Sequence, residues 1–175
     1  MSELGKVIWI TGLSGSGKST LAKEVKKKFC ERSELVVVLD GDEMREVLGS
    51  VASGAENHSR ESRLSLALRY SKLCKLISSQ GITVIIATIS MFEEVHSWNR
   101  KNLPEYIEIY LKVPLEVLKN RNSKNIYSLF EEGKISHIAG LDVGVDEPLQ
   151  PDYIFEYEPG RNAEDIANTL WNDWA

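Results

Sequence analysis

Apolar residues along this chain gather in short continuous runs, and the stretches between them carry apolar positions at helical spacing. The runs KVIWI (6–10), LVVVL (35–39), ITVIIA (82–87), YIEIYL (106–111) and YIFEY (153–157) are bounded by turn signals and predict five strands. Runs of this kind mark strands buried on both faces, and so a parallel sheet covered by helices on either side. The intervening stretches predict helices near 18–32, 42–49, 60–79, 92–102, 114–121, 125–132 and 163–173. In the third of these, Leu64, Leu68, Leu73, Leu76 and Ile77 recur at helical spacing and are expected to form its buried stripe. The fold class that follows is α/β, a three-layer α/β/α arrangement around a five-stranded parallel sheet. Segment 122–150, with NSKN, EEGK and GLDVGVDEP, is poor in strand signals, and its mix of Lys, Gly and acids suits a short lid.

Length and charge add mainly exclusions. A chain of 175 residues suits one domain, 1–175, with one sizeable core. A net charge of -5 argues against a nucleic-acid partner, which would want a basic face. The longest apolar run, 82–87, is far too short to span a bilayer, so no membrane partner is expected. No secretory leader pattern precedes the first strand, and the only cysteines, Cys30 and Cys74, fall in predicted helices as reduced packing residues. Both point to a cytoplasmic protein. The triplet Lys26, Lys27 and Lys28 reads as a solvated helix face.

Candidate chemistry begins between the first strand and the first helix, at GLSGSGKST (12–20). Gly12, Gly17, Lys18 and Ser19 fit G-x-x-x-x-G-K-[ST] in the strand-then-helix setting that the motif requires. With Ser14, Gly15, Ser16 and Thr20 they predict a cradle whose backbone N–H groups meet the phosphates of ATP. Lys18 would reach the β/γ-phosphates and the Ser19 hydroxyl would ligate Mg²⁺. A plain Gly/Ser linker would need neither the strand nor the helix. LDGDEMR closes the second strand, where ligands of open parallel sheets collect. Asp40 is therefore a candidate catalytic and Mg²⁺-organising carboxylate alongside Lys18, while Asp42 could contact substrate or simply cap the following helix. The third strand runs into Thr88–Ile89–Ser90 with no acid, which throws more weight on Asp40. Arg45 and Arg63 are candidates to hold an acceptor's phosphate, with Arg69 a weaker third. His58, His96 and His137 have no metal-ligand spacing, though His58 and His137 fall in loops that could touch substrate.

Taken together, the phosphate loop, LDGDEMR and the TIS after the third strand resemble the adenylylsulfate kinase family over about 6–152. VPLEVLKNRNSKNIY is similar to the family's TPLEVCxxRDPKGLY, which puts Arg121 and Lys124 on its ATP-side basic positions. GKISHIAGLD resembles its GEIKxFTGID, the lid over the acceptor nucleotide. The resemblance implies a phosphate-loop kinase fold and transfer of the ATP γ-phosphate to the ribose 3′-hydroxyl of a nucleotide with a 5′ mixed anhydride. It makes Asp40 the base or metal-organising acid, Arg45 a phosphate holder and Ser90 the family's serine after strand three. It also implies a homodimer. Against FSxxDRxEN the chain has HSRESRLSL (58–66), keeping Arg63 but placing Ser62 for Asp and Leu66 for Asn. His58 and Ile138 stand where two Phe clasp adenine, and losing stacking of about 1–3 kcal/mol per face argues against an adenine acceptor. GDEMREVLGS, ENHSRE and ATIS closely resemble a related group, the cytidine diphosphoramidate kinases of capsule phosphoramidate synthesis.

Other phosphate-loop classes fit less well. A GTP-binding switch needs D-x-x-G and N-K-x-D, and NSKN (122–125) lacks the Asp. An ATP-driven motor needs an acid at the end of strand three. Gluconate- or shikimate-type kinases leave LDGDEMR and the AGLD lid unexplained.

Overall fold

In the computed structural model, residues 4–48 and 59–174 are described. The chain runs β1 (Val7–Thr11), α1 (Lys18–Glu31), β2 (Val36–Asp40), α2 (Gly41–Leu48), α3 (Arg60–Ser78), β3 (Thr83–Ala87), α4 (Glu93–Asn102), β4 (Tyr106–Lys112), α5 (Leu115–Arg121), α6 (Ile126–Glu131), β5 (Tyr153–Glu156) and α7 (Ala163–Trp174). A 3₁₀ turn, Ser123–Asn125, joins α5 to α6. The strands form one sheet in the order β2-β3-β1-β4-β5, and every pairing is parallel.

Alternation along β1 shows why the sheet needs cover on both faces. Ile8 and Ile10 enter one core with Leu21, Val25 and Phe29 of α1 and Leu170 of α7. Val7 and Trp9 point the other way and pack with Met44 of α2, Ala67, Tyr70 and Cys74 of α3, and Val95 of α4. All five residues of β1 and of β3 are buried, so neither strand has a polar face to show water. Such strands read as unbroken apolar runs. No helix among the described residues is long and apolar enough to cross a membrane.

Two packing expectations are corrected. The face that α3 buries is Ala67, Tyr70, Ser71, Cys74 and Ser78. Leu64, Leu68, Leu73 and Ile77 flank it, and Leu76 is 60% exposed. Apart from Tyr70 the side chains of that buried face are small and let the helix lie close on the sheet, and the leucines splay to either side of the contact. Cys30 is exposed rather than packed, whereas burial pushes the Cys74 thiol up to about 12.

The arrangement aims three strand ends at one place. β1 sits between β3 and β4, so the loop after it opens at the carboxyl edge of the sheet's middle. Asp40, the last residue of β2, pairs in register with Ala87, the last of β3.

Candidate active site

The loop after β1 takes turns that side chains resist. Gly15 and Gly17 have φ of 80° and 101°, and a Cβ on Gly12 would stand 2.6 Å from the Leu111 carbonyl oxygen of β4. The loop then runs into α1, whose first turn holds no acidic residue to offset the helix's positive end. Ser14, Gly15, Gly17, Lys18, Ser19 and Thr20 line a cavity of about 580 Å³ above it. Gly12 is pressed against β4, and Ser16 is buried beneath the loop, so both shape the cradle from behind. Lys18 Nζ donates to the Leu13 carbonyl at 2.7 Å and to Ser16 Oγ at 3.4 Å. Burial lowers the Lys18 amine to about 8, against the opposing pull of Asp42 and Asp40.

The two aspartates of LDGDEMR have different surroundings. Asp40 precedes the first residue of α2, and its Oδ1 accepts the Asp42 N–H at 2.9 Å, a helix cap. Its Oδ2 accepts from Ser19 Oγ at 2.5 Å. The cap is therefore Asp40 and not Asp42, because α2 starts at Gly41. Asp42 reaches into the cavity and pairs with Lys124. That hydrogen bond, with the charges of Lys124, Arg45 and Lys18, holds its carboxyl below the usual range despite partial burial. Ser19 and Asp40 offer oxygen donors beside a phosphate cradle, the set a hard cation takes when phosphates supply its remaining ligands. Among the described residues, no three or more His, Cys, Asp and Glu side chains cluster as a metal site.

The root of the segment expected as a lid folds over the same loop. Arg121 donates to the Gly15 carbonyl at 3.1 Å, and the Tyr127 hydroxyl donates to the Ser14 carbonyl at 2.7 Å. Arg121 and Lys124 both line the phosphate cavity. Tyr127 was not singled out in the sequence. It falls three residues after Lys124 inside the similar stretch, and its position there was the available signal.

A second cavity, about 530 Å³, adjoins the first, with Asp42, Arg45, Arg63, Thr88, Ile89 and Ala139 on the walls of both. Its far side is Leu66, Tyr70, Met91, Phe92 and, from the segment before β5, Val143, Gly144 and Val145. Ser90 lines it at φ 28°, its Oγ 2.7 Å from Thr88 Oγ1. The Arg63 guanidinium donates to the His137 carbonyl, while Asp142 accepts the N–H groups of His137 (2.7 Å) and Ile138 (2.6 Å). Burial and the neighbouring Arg45 both lower the Arg63 pKa.

The structure places most of the expected residues together, with exceptions. Ile138 lines the phosphate-side cavity with His137, and not the second one. His58 lies outside the described residues. Arg69 is exposed and lines neither cavity, because it falls on the outer side of α3. His96 is buried against Glu108, and neither residue lines either cavity. The second cavity also keeps two aromatic side chains, Tyr70 and Phe92, that the sequence reading missed. Tyr70 sits seven residues after Arg63 on one helix face, and that spacing was the available signal.

Comparison with known proteins agrees with this geometry. The profile of the adenylylsulphate kinase family matches residues 4–156. The cytidine diphosphoramidate kinase of Campylobacter jejuni is 36% identical over 164 residues, 94% of this chain and 93% of that protein. The adenylyl-sulfate kinase of Clostridium acetobutylicum is 36% identical over 171 residues, 97% of this chain and 84% of that one. The adenylylsulfate kinase of Mycobacterium tuberculosis, solved with AMPPNP and APS, superposes with a TM-score of 0.86 at 30% identity, covering 97% and 96% of the two chains. The chain belongs to the adenylylsulphate kinase family and is an ATP-dependent phosphotransferase.

Proposed function

We propose that the chain transfers the γ-phosphoryl group of ATP to the ribose 3′-hydroxyl of cytidine diphosphoramidate, a step of capsule phosphoramidate synthesis. The observation that carries the reading is the shared wall: Asp42, Arg45 and Arg63 face both the phosphate cavity and the second cavity. An acceptor anchored by its 5′ anionic tail on the two arginines would hold its ribose beside the γ-phosphate. Positioning of this kind supplies most of the catalysis in phosphoryl transfer.

Each residue then has a task. The cradle and Lys18 bind the ATP phosphates, with Arg121 and Lys124 closing over them. Ser19 and Asp40 would hold Mg²⁺, which when bound neutralises charge on the β- and γ-phosphates. To Asp42 falls the proton of the attacking 3′-hydroxyl, a reading supported by its being kept ionised and not serving as the cap of α2. Segment 122–150 acts as a lid over both substrates.

Cytosine as the base is supported by Leu66, which lines the second cavity and offers no polar contact there. The Campylobacter relative's own name agrees. Tyr70 and Phe92 supply apolar and aromatic surface for a small pyrimidine. The test compares kcat/KM for cytidine diphosphoramidate and adenylylsulfate under the same ATP and Mg²⁺ conditions, with ³¹P NMR of the product. The cytidine nucleotide is expected to win by about a hundredfold. Faster turnover of adenylylsulfate would make the chain an adenylylsulfate kinase with an altered pocket.

A further inference from the structure

Arg60, the first residue of α3, lines neither cavity but stands behind one of them. Its guanidinium makes a two-point bridge to Glu94, Nη1 to Oε1 at 3.0 Å and Nη2 to Oε2 at 3.1 Å. Nη2 also donates to Asp146 Oδ2 at 3.0 Å. The guanidinium carbon lies 5.4 Å from the centroid of the Phe92 ring. Asp146 is fixed from two further directions. Its Oδ2 accepts the Glu93 N–H at 3.1 Å, and its own N–H donates to the Met91 carbonyl at 2.9 Å.

These contacts join three separate parts of the chain at one point: the start of α3, the start of α4 and segment 143–146. Val143, Gly144 and Val145 make one side of the second cavity, and Met91 and Phe92 make the adjoining side. The Arg60 cluster is therefore the fastening between the two sides. Its guanidinium is bridged by two carboxylates, whereas Arg63 makes no ion pair among the described residues and feels Arg45 more strongly than the opposing Asp142. Arg60 is thus a fastener and not an anion binder.

We infer that Arg60 is a positioning residue for the acceptor: through Glu94 and Asp146 it holds segment 143–146 against Phe92 and sets how tightly the nucleotide's base end is gripped. The inference rests on the second cavity being the acceptor's. A single exposed ion pair contributes little, but this guanidinium engages two carboxylates and a ring at once, and partners that share a group act together.

Steady-state kinetics with ATP and whichever of cytidine diphosphoramidate and adenylylsulfate the wild type turns over decides the matter. Arg60→Gln is expected to raise the acceptor KM about three- to tenfold while the ATP KM stays within about twofold. Asp146→Asn should do the same, and the double variant no more than either alone, because one contact is lost in all three. Arg60→Lys, which keeps the charge but not the two-point geometry, should fall between. Arg63→Ala is the reference for the cavity. Equal rises in both KM values overturn the inference, as does an unchanged acceptor KM in Arg60→Gln when Arg63→Ala raises it. An acceptor KM that Arg63→Ala leaves unmoved overturns the assignment of the cavity itself, and the inference falls with it.

Discussion

Asp40 and Asp42 are two residues apart and carry the same group, yet one has both oxygens engaged by Ser19 and the Asp42 N–H while the other stands in the cleft against Lys124. The proposed division of labour predicts different failures. Asp42→Asn should lower kcat by about 10²–10⁴-fold with smaller changes in either KM, the range of a lost general base. Asp40→Asn should instead raise the Mg²⁺ concentration for half-maximal rate by about ten- to hundredfold. A larger kcat loss for Asp40→Asn at saturating Mg²⁺ would exchange the two roles. Lys18 makes a prediction in pH. Its folded pKa, about 8, lies below the ordinary 10.5, and bound phosphate would push it back up. ATP binding at pH 8 should therefore take up as much as about half a proton, and almost none at pH 6. For the free protein the sign is the reverse of a stabilising pair: between about 8 and 10.5 the unfolded chain binds more protons, so this group's penalty on stability fades as pH rises through that window. Calorimetry in buffers of different ionisation enthalpy measures the uptake, and Lys18→Met should abolish it. Uptake persisting in that variant would place the titrating group elsewhere.

At the scale of elements, the strand and helix positions were legible because burial on both faces leaves long apolar runs that turn residues interrupt sharply. The face of α3 was not, since counting leucines favours Leu64, Leu73 and Leu76 over the small side chains that touch the sheet. The roles of the two aspartates were hidden for a similar reason. Whether Asp40 or Asp42 caps α2 turns on where that helix begins, a boundary that patterns locate only to within a residue or two. Gly41, that first residue, is held close against β3: a Cβ there would lie 3.0 Å from Thr88 Oγ1 and 3.3 Å from the Ala87 carbonyl oxygen. Gly41→Ala must therefore move α2 or Thr88 by a few tenths of an ångström. The expected outcome is a kcat about three- to tenfold lower, from misplaced carboxylates, with Tm reduced by no more than about 8 °C. Thermal melts and initial rates on the same preparation check both numbers, and an unchanged kcat would mean that the end of β2 tolerates the shift.

For the whole molecule, the phosphate cradle was readable from nine consecutive residues because its chemistry is local. The second cavity was only half readable. Its walls come from α2, α3, the end of β3 and the segment before β5, so Tyr70 and Phe92 declare themselves only when those parts meet. The same meeting bears on how a reaction there would finish. Arg45 and Arg63 face both cavities, and under the proposed reaction the product leaves with one more phosphate than the acceptor brought. That phosphate is handed over at the very arginines that drew the acceptor in. A clamp that captures well lets go slowly, and one built from two cations on a common partition cannot loosen its hold on the product without loosening its hold on the next acceptor. If segment 122–150 covers both substrates as proposed, its swing separates arrival from departure, and the pace of the cycle belongs to that movement rather than to the chemistry beneath it.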